Sequence, residues 1–227
     1  MVHLDSISEL IRSQFDARTA ARDLALTQAR ALTRFCSQAI RAVHRDEDDT
    51  MNEQLGEARK LADSLRTAVA GFPDLYYAGY TQDALKEFVE ANVTCALIKN
   101  QPLIGPVELG VEYNTYLNGL SEVIGELRRR CLDLLRHGYS AEVERLLVQM
   151  DDIYAVLVTM DYPDAITNGL RRQTDIARNI IEKTRGDITF SLRGEHLERA
   201  IARLSEQMIG ESGPSGPTLS RAGGDEE

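Results

Sequence analysis

Cysteine is scarce and scattered. Cys36, Cys95 and Cys131 are the only three in 227 residues. An odd number of isolated thiols among apolar neighbours excludes CxxC and Cys/His zinc patterns and fits buried, reduced side chains. No apolar run comes near the roughly 20 residues that span a bilayer, so no membrane-spanning helix is expected. The opening MVHLDSISEL carries Asp5 and Glu9 and lacks a basic stretch followed by an apolar one, which reads as a cytoplasmic start and not a secretory signal. Sustained period-2 alternation is missing, and with it the signature of strands. Positive charge is in deficit: 26 Lys+Arg stand against 36 Asp+Glu, a formal charge of −10. That deficit does not exclude a nucleic-acid partner, because binding depends on a local basic stripe more than on the total.

What is present is helical periodicity over a length ample for one core. A chain of this size buries roughly 70% of the surface it would expose unfolded, so a single domain needs no disulfide or structural metal. Only Pro73, Pro102, Pro106 and Pro163 precede residue 211, and the long stretches between them place apolar residues at helical spacing. The pattern predicts an all-α domain over residues 1–210 with seven helices, near 4–45, 51–70, 80–99, 106–136, 140–161, 163–185 and 192–209. Asp46 to Asp49, Gly71-Phe72-Pro73, Asn100 to Pro102 and His137-Gly138 serve as breaks. Residues 211–227 hold four Gly, two Pro and two apolar side chains, too little to bury, and are expected to form a disordered tail.

Two features of this pattern bear on chemistry. At 100° per residue Arg30, Arg34, Arg41 and Arg45 fall within a 60° arc, opposite Leu32, Phe35, Ala39 and Val43. Guanidinium forks on such a stripe match phosphate oxygens, although a solvated face looks the same. The clusters Arg128-Arg129-Arg130 and Arg171-Arg172 spray around their helices and are weaker signals. The second feature is acidic. Glu87 and Glu90 head faces that continue into Ala91, Val93, Thr94, Leu97 and Ile98, where a lone carboxylate would need a cation, hydrogen bonds or a proton. Asp83 extends that face. Glu122 and Glu126 share a face on a later helix flanked by Gly119 and Gly125, whose lack of side chains suggests close approach of a neighbour. Oxygen donors of this kind suit Mg²⁺ or Mn²⁺, and His3, His44, His137 and His196 follow no ligand spacing and read as surface or cap residues. Helix ends reaching solvent would leave the same glutamates as ordinary surface groups.

The segments Arg34-Phe35-Cys36-Ser37-Gln38-Ala39-Ile40-Arg41-Ala42-Val43-His44-Arg45, Glu87-Phe88-Val89-Glu90-Ala91, and Tyr116-Leu117 through Gly119 with Gly125-Glu126-Leu127 resemble, in order and spacing, the translin family. The likeness covers most of residues 15–195. Within that family the chain looks more like translin-associated factor X and its stand-alone prokaryotic relatives than like translin. The resemblance implies an all-α protomer in a closed homo-oligomer, often an octamer, that binds RNA or single-stranded DNA on its inner surface. In the factor X branch it further implies a Mg²⁺-dependent endoribonuclease whose catalytic carboxylates carry over onto Glu87, Glu90, Glu122 and Glu126, with Glu122 standing where that branch usually has Asp. Arg30, Arg34, Arg41 and Arg45 are then the candidates for holding the RNA backbone. The rival readings are an all-α nucleoside triphosphate pyrophosphatase, which also uses two acidic pairs on helices, and a helical oligomer that binds RNA without cleaving it.

Overall fold

The computed structural model describes residues 4–211. Among them are nine helices and no strand: α1 (Leu4–His44), α2 (Asp48–Val69), α3 (Pro73–Tyr76), α4 (Gly79–Ile98), α5 (Pro106–Leu109), α6 (Tyr113–Leu135), α7 (Ala141–Val158), α8 (Asp164–Thr167) and α9 (Leu170–Glu211). Six are long, and α3, α5 and α8 are single turns. The expected all-α class holds. The expected tail lies outside the described residues except for Glu211, the last residue of α9.

Helix ends follow their backbone chemistry. α1 stops because Asp46 adopts a left-handed conformation (φ 58°), which lets its N–H reach the Val43 carbonyl at 3.2 Å and the Glu47 N–H reach that of Ala42 at 3.0 Å. These two bonds satisfy carbonyls that the helix would otherwise leave unpaired. Asn100 (φ 52°) ends α4 in the same way, with Gln101 N–H donating to the Ala96 carbonyl at 2.8 Å. Both sites lie in the breaks read from the sequence.

Three expected boundaries are corrected. The helix expected at 106–136 is two, because Gly110 turns left-handed (φ 67°) and the Arg66 guanidinium donates to the Leu109 and Gly110 carbonyls at 2.6 and 2.5 Å. A side chain at residue 110 would overlap that guanidinium. The helix expected from Pro163 makes one turn, and the left-handed pair Asn168-Gly169 delays the next until Leu170. Conversely, 163–185 and 192–209 are not separate: α9 runs unbroken through Gly186, since a single interior glycine costs only about 1 kcal/mol and does not stop a helix.

Packing places α4 in the middle. Twelve of its twenty residues are buried, and it contacts α1, α2, α6 and α7. α2 returns antiparallel along α1, joined by Gln28 Nε2 to Ser64 Oγ at 2.6 Å, and the Arg18–Asp74 ion pair ties α3 to α1 beyond it. α1, α4 and α6 run in the same sense. Cys95 sits against Ala39, while Thr115 Oγ1 donates to Gln82 Oε1 at 2.6 Å. α4 is therefore held between α1 and α6.

The approach of α4 to α6 requires glycine. A Cβ at residue 119 would lie 2.8 Å from Val89 Cβ and 2.9 Å from the Lys86 carbonyl, whereas one at residue 125 would meet nothing within 4 Å. Of the two glycines read as marking a close neighbour, Gly119 does so and Gly125 does not. The two positions should therefore respond oppositely to alanine. Gly119→Ala is expected to destabilise the fold by about 1–3 kcal/mol through overpacking, and Gly125→Ala to stabilise it by up to about 1 kcal/mol through helix propensity. Urea unfolding of both variants checks this, and a Gly119→Ala protein as stable as the parent would contradict the packing described.

A carboxylate cluster beside an arginine stripe

Because α4 and α6 run parallel and close, residues on their facing sides meet in register. Oxygens of Glu87, Glu90 and Glu122 all lie within 4.8 Å of one another, and all three side chains are half-buried. Burial, then the charges of Glu87 and Glu122, pushes the Glu90 carboxyl up to about 8. Glu87 is raised too, by burial first and Glu122 second. The concentration of negative charge reaches the buried Cys36, whose thiol is pushed up by burial and by both glutamates. All three cysteines are free and buried, as their spacing implied.

Glu126 occupies the edge of this cluster in a different state. Its Oε2 lies 2.6 Å from His44 Nε2 and 3.4 Å from Arg129 Nη1, and the His44 hydrogen bond holds its carboxyl below the usual range. Glu122 also has a cation, with Lys86 Nζ 2.7 Å from its Oε1. Burial alone would lower the Lys86 ammonium, but that hydrogen bond and the surrounding acidic charge outweigh it and raise it. So two of the four glutamates are matched by cationic or donor groups and two are not.

His44 corrects the sequence reading. It is neither surface nor cap: its side chain is 3% exposed, its Nδ1 is buried without a partner, and its carbonyl accepts from Arg130. A signal was available, since His44 falls 40° from Arg30 on the helical wheel, on the side toward α4. Lys86 was missed because a lysine beside a glutamate in sequence is commonplace, and only the register with α6 gives it a partner.

The four arginines of the stripe are all exposed, and none is ion-paired among the described residues. They divide between two surfaces. Arg30 lines a groove of about 500 Å³ with Tyr80, Asp83 and Glu87, so it opens onto the carboxylate cluster. Arg41 and Arg45 line another of about 260 Å³ with Gln38, Glu47 and Gln54, between α1 and α2. Arg34 lies over the Phe35 ring at 5.3 Å. The triplet Arg128-Arg129-Arg130 is spent internally, on Asp187, Glu126 and Asp46 respectively. No helix among the described residues is long and apolar enough to cross a membrane.

Parallel helices carrying a clustered set of carboxylates next to an unpaired basic stripe define an all-α protein equipped to hold a hard cation and to meet a polyanion. Comparison with known proteins places it more narrowly. An uncharacterized protein of Methanocaldococcus jannaschii is 34% identical over 213 residues, covering 91% of this chain and 94% of that one. The solved structure of an AfC3PO–duplex RNA complex matches with a TM-score of 0.77 and 29% identity, covering 82% of this chain and 96% of that one. AfC3PO alone gives 0.76 at 28% identity, with 82% and 97% coverage. Apo-NeC3PO gives 0.71 at 21% identity, covering 84% and 98%, a likeness of fold. No family model matches. The likeness to the AfC3PO structures in sequence and fold supports the translin family for this chain.

The raised Glu90 carboxyl ties protonation to stability. Its folded value lies above the unfolded one, so the folded state binds a proton more tightly and metal-free stability is lost as pH climbs from about 5 to 8. Glu90→Gln removes that loss. Denaturation in chelator should show a flatter pH profile for the variant and a gain on the order of 3 kcal/mol over the parent at pH 8. Parallel profiles would mean that the cluster stores no repulsion at Glu90.

Proposed function

We propose that this protein is a metal-dependent endoribonuclease of the factor X type, in which Glu87, Glu90 and Glu122 hold Mg²⁺ or Mn²⁺ and Glu126 engages the ion directly or through water. One observation carries the reading. Three carboxylates from two helices converge within 4.8 Å, and one of them is held so far from its ordinary range that it calls for a proton or a cation. All-oxygen donors fit a hard divalent ion, whose charge when bound polarises a phosphoryl oxygen and renders a water nucleophilic near neutral pH.

The chain's own residues prepare the site. Lys86 pins Glu122 Oε1, and His44 pins Glu126 Oε2, so neither carboxylate swings freely. Arg30, sharing its groove with Glu87, holds the phosphodiester chain next to the cluster, and Arg34, Arg41 and Arg45 extend the contact along α1. The AfC3PO–duplex RNA complex supports RNA as the partner; single-stranded DNA as a further ligand follows only from the family resemblance.

Assembly into a homo-oligomer, an octamer if the family pattern is followed, belongs to the same proposal. Leu4, Leu10 and Phe15 on α1 and Phe190, Leu197, Leu204 and Met208 on α9 are more than half exposed, which is apolar surface that further copies of the chain would cover. On α7, Ile153 and Leu157 belong to the core, while Val148, Val156 and Val158 are exposed. Light scattering should give a mass several times 25.3 kDa. A monodisperse monomer at micromolar concentration would overturn the assembly.

Labelled RNA should be cut in Mg²⁺ and left whole in chelator, and Glu90→Gln should lower the rate by at least about a hundredfold. Nucleoside triphosphates run beside it separate a pyrophosphatase, which would release pyrophosphate and spare the RNA. Arg34→Ala with Arg41→Ala should weaken RNA binding and reduce its salt slope by about two, one for each lost phosphate contact. RNA that survives Mg²⁺ yet is bound with the parental salt dependence would leave a binding protein without catalysis.

A further inference from the structure

Lys86 and Asp83 also line a second pocket, of about 150 Å³, that the cleavage reading does not use. It is bounded by α4, α6, the residue that follows α8 and the start of α9, and every side chain lining it is polar. Its volume falls below the 300–1,000 Å³ usual for a whole cofactor or drug-sized ligand, so it has room for about one small ring.

The polar groups are arranged unequally. Gln82 is occupied, accepting from Thr115 at 2.6 Å and donating to the Tyr76 carbonyl at 2.8 Å. Asn118 is buried, and its Nδ2 donates to the carbonyls of Asn114 and Thr167, each at 2.8 Å. Both neighbours can only accept, which fixes the amide orientation and leaves Oδ1 as a held acceptor on the pocket side. The side-chain amides of Asn168 and Gln173 make no hydrogen bond among the described residues. Asn168 has a left-handed backbone and an exposed side chain.

Chemistry narrows the occupant. With no aromatic or apolar side chain, the pocket offers nothing for a nucleobase to stack on. A phosphate is disfavoured, because Asp83 lines the pocket and its one cation, Lys86, is already paired with Glu122. A held acceptor and two free amides suit a neutral ring bearing hydroxyls, each of which both donates and accepts.

We propose that this pocket receives a ribose of the RNA chain next to the phosphate at the carboxylate cluster, and that Asn118, Asn168 and Gln173 read its 2′-hydroxyl. The inference rests on the RNA-cleaving reading for its ligand, and its position follows from two shared residues. Lys86 joins the pocket to Glu122, and Asp83 joins it to the groove of Arg30 and Glu87. A sugar seated here is thus within one nucleotide of the cation site. The 2′-hydroxyl is what distinguishes RNA from DNA at such a site.

The test compares short oligouridine with oligodeoxyuridine, which differ only at the 2′ position, by fluorescence anisotropy with the full chain in chelator. The parent should bind the RNA about tenfold more tightly. Asn168→Gly with Gln173→Ala removes both free amides, while glycine keeps the left-handed backbone at 168, and should narrow the RNA-to-DNA ratio severalfold at unchanged melting temperature. Equal affinities in the parent, or an unchanged ratio in a folded variant, would overturn the subsite. Free uridine that competes as well as the oligonucleotide would overturn the assignment to an RNA chain. Cleavage in Mg²⁺ is scored separately: intact cleavage with no ratio sinks the subsite alone, and a ratio without cleavage sinks the nuclease alone.

Discussion

Two helices can lie as close as α4 and α6 only where one of them has no side chain. Gly119 is that place, with Val89 and the Lys86 carbonyl occupying the space a Cβ would take. The contact sets the register of the pair, and the register decides which side chains meet one turn on either side of it. Glu87 and Glu90 then face Glu122, and Lys86 reaches Glu122. A larger residue at 119 would push the helices apart and dilute the charge on which the site depends.

Concentrated negative charge in a half-buried setting has to be balanced, and the fold balances only part of it. Lys86 answers Glu122, and His44 with Arg129 answers Glu126. Glu87 and Glu90 have burial and like charge around them and no ion-pair partner among the described residues, and their carboxyls are raised accordingly. The partial balance holds the helices together without a ligand while leaving an appetite for cationic charge. Complete pairing would have produced an inert ionic staple, because charges already matched gain little from a further ion.

The basic stripe obeys the same logic with the sign reversed. Some arginines elsewhere are consumed by carboxylates, Arg66 by Asp63 and two loop carbonyls, Arg130 by Asp46 and Arg185 by Asp151, whereas others such as Arg171, Arg172 and Arg178 on α9 are exposed with no ion pair among the described residues. Arg30, Arg34, Arg41 and Arg45 are left exposed on α1. Arg30 stands in one groove with Glu87, which brings unspent positive and negative charge side by side. Under the proposed function, a bridging phosphate ester accompanied by a divalent ion would satisfy both.

Helical class, the positions of Asp46 and Asn100 as helix ends, the arginine arc and the oddity of Glu87 and Glu90 were all legible in the sequence, because each depends on a period of 3.6 residues or on the preferences of one backbone site. The gathering of Glu87 and Glu90 with Glu122 was only an expectation, since a sequence records which residues share a helix face and not which faces meet. His44 and Lys86 were misread or passed over for the same reason: their partners lie 82 and 36 residues away. The kink at Gly110 was hidden because the guanidinium that enforces it belongs to Arg66, and the continuity of α9 because an interior glycine weakens a helix by only about 1 kcal/mol and so does not by itself mark an end. Local order was written in residue types and spacing, whereas the balance of charge at the site was settled when α1, α4 and α6 packed in register, since Coulomb energies depend on distances that only the packed helices define.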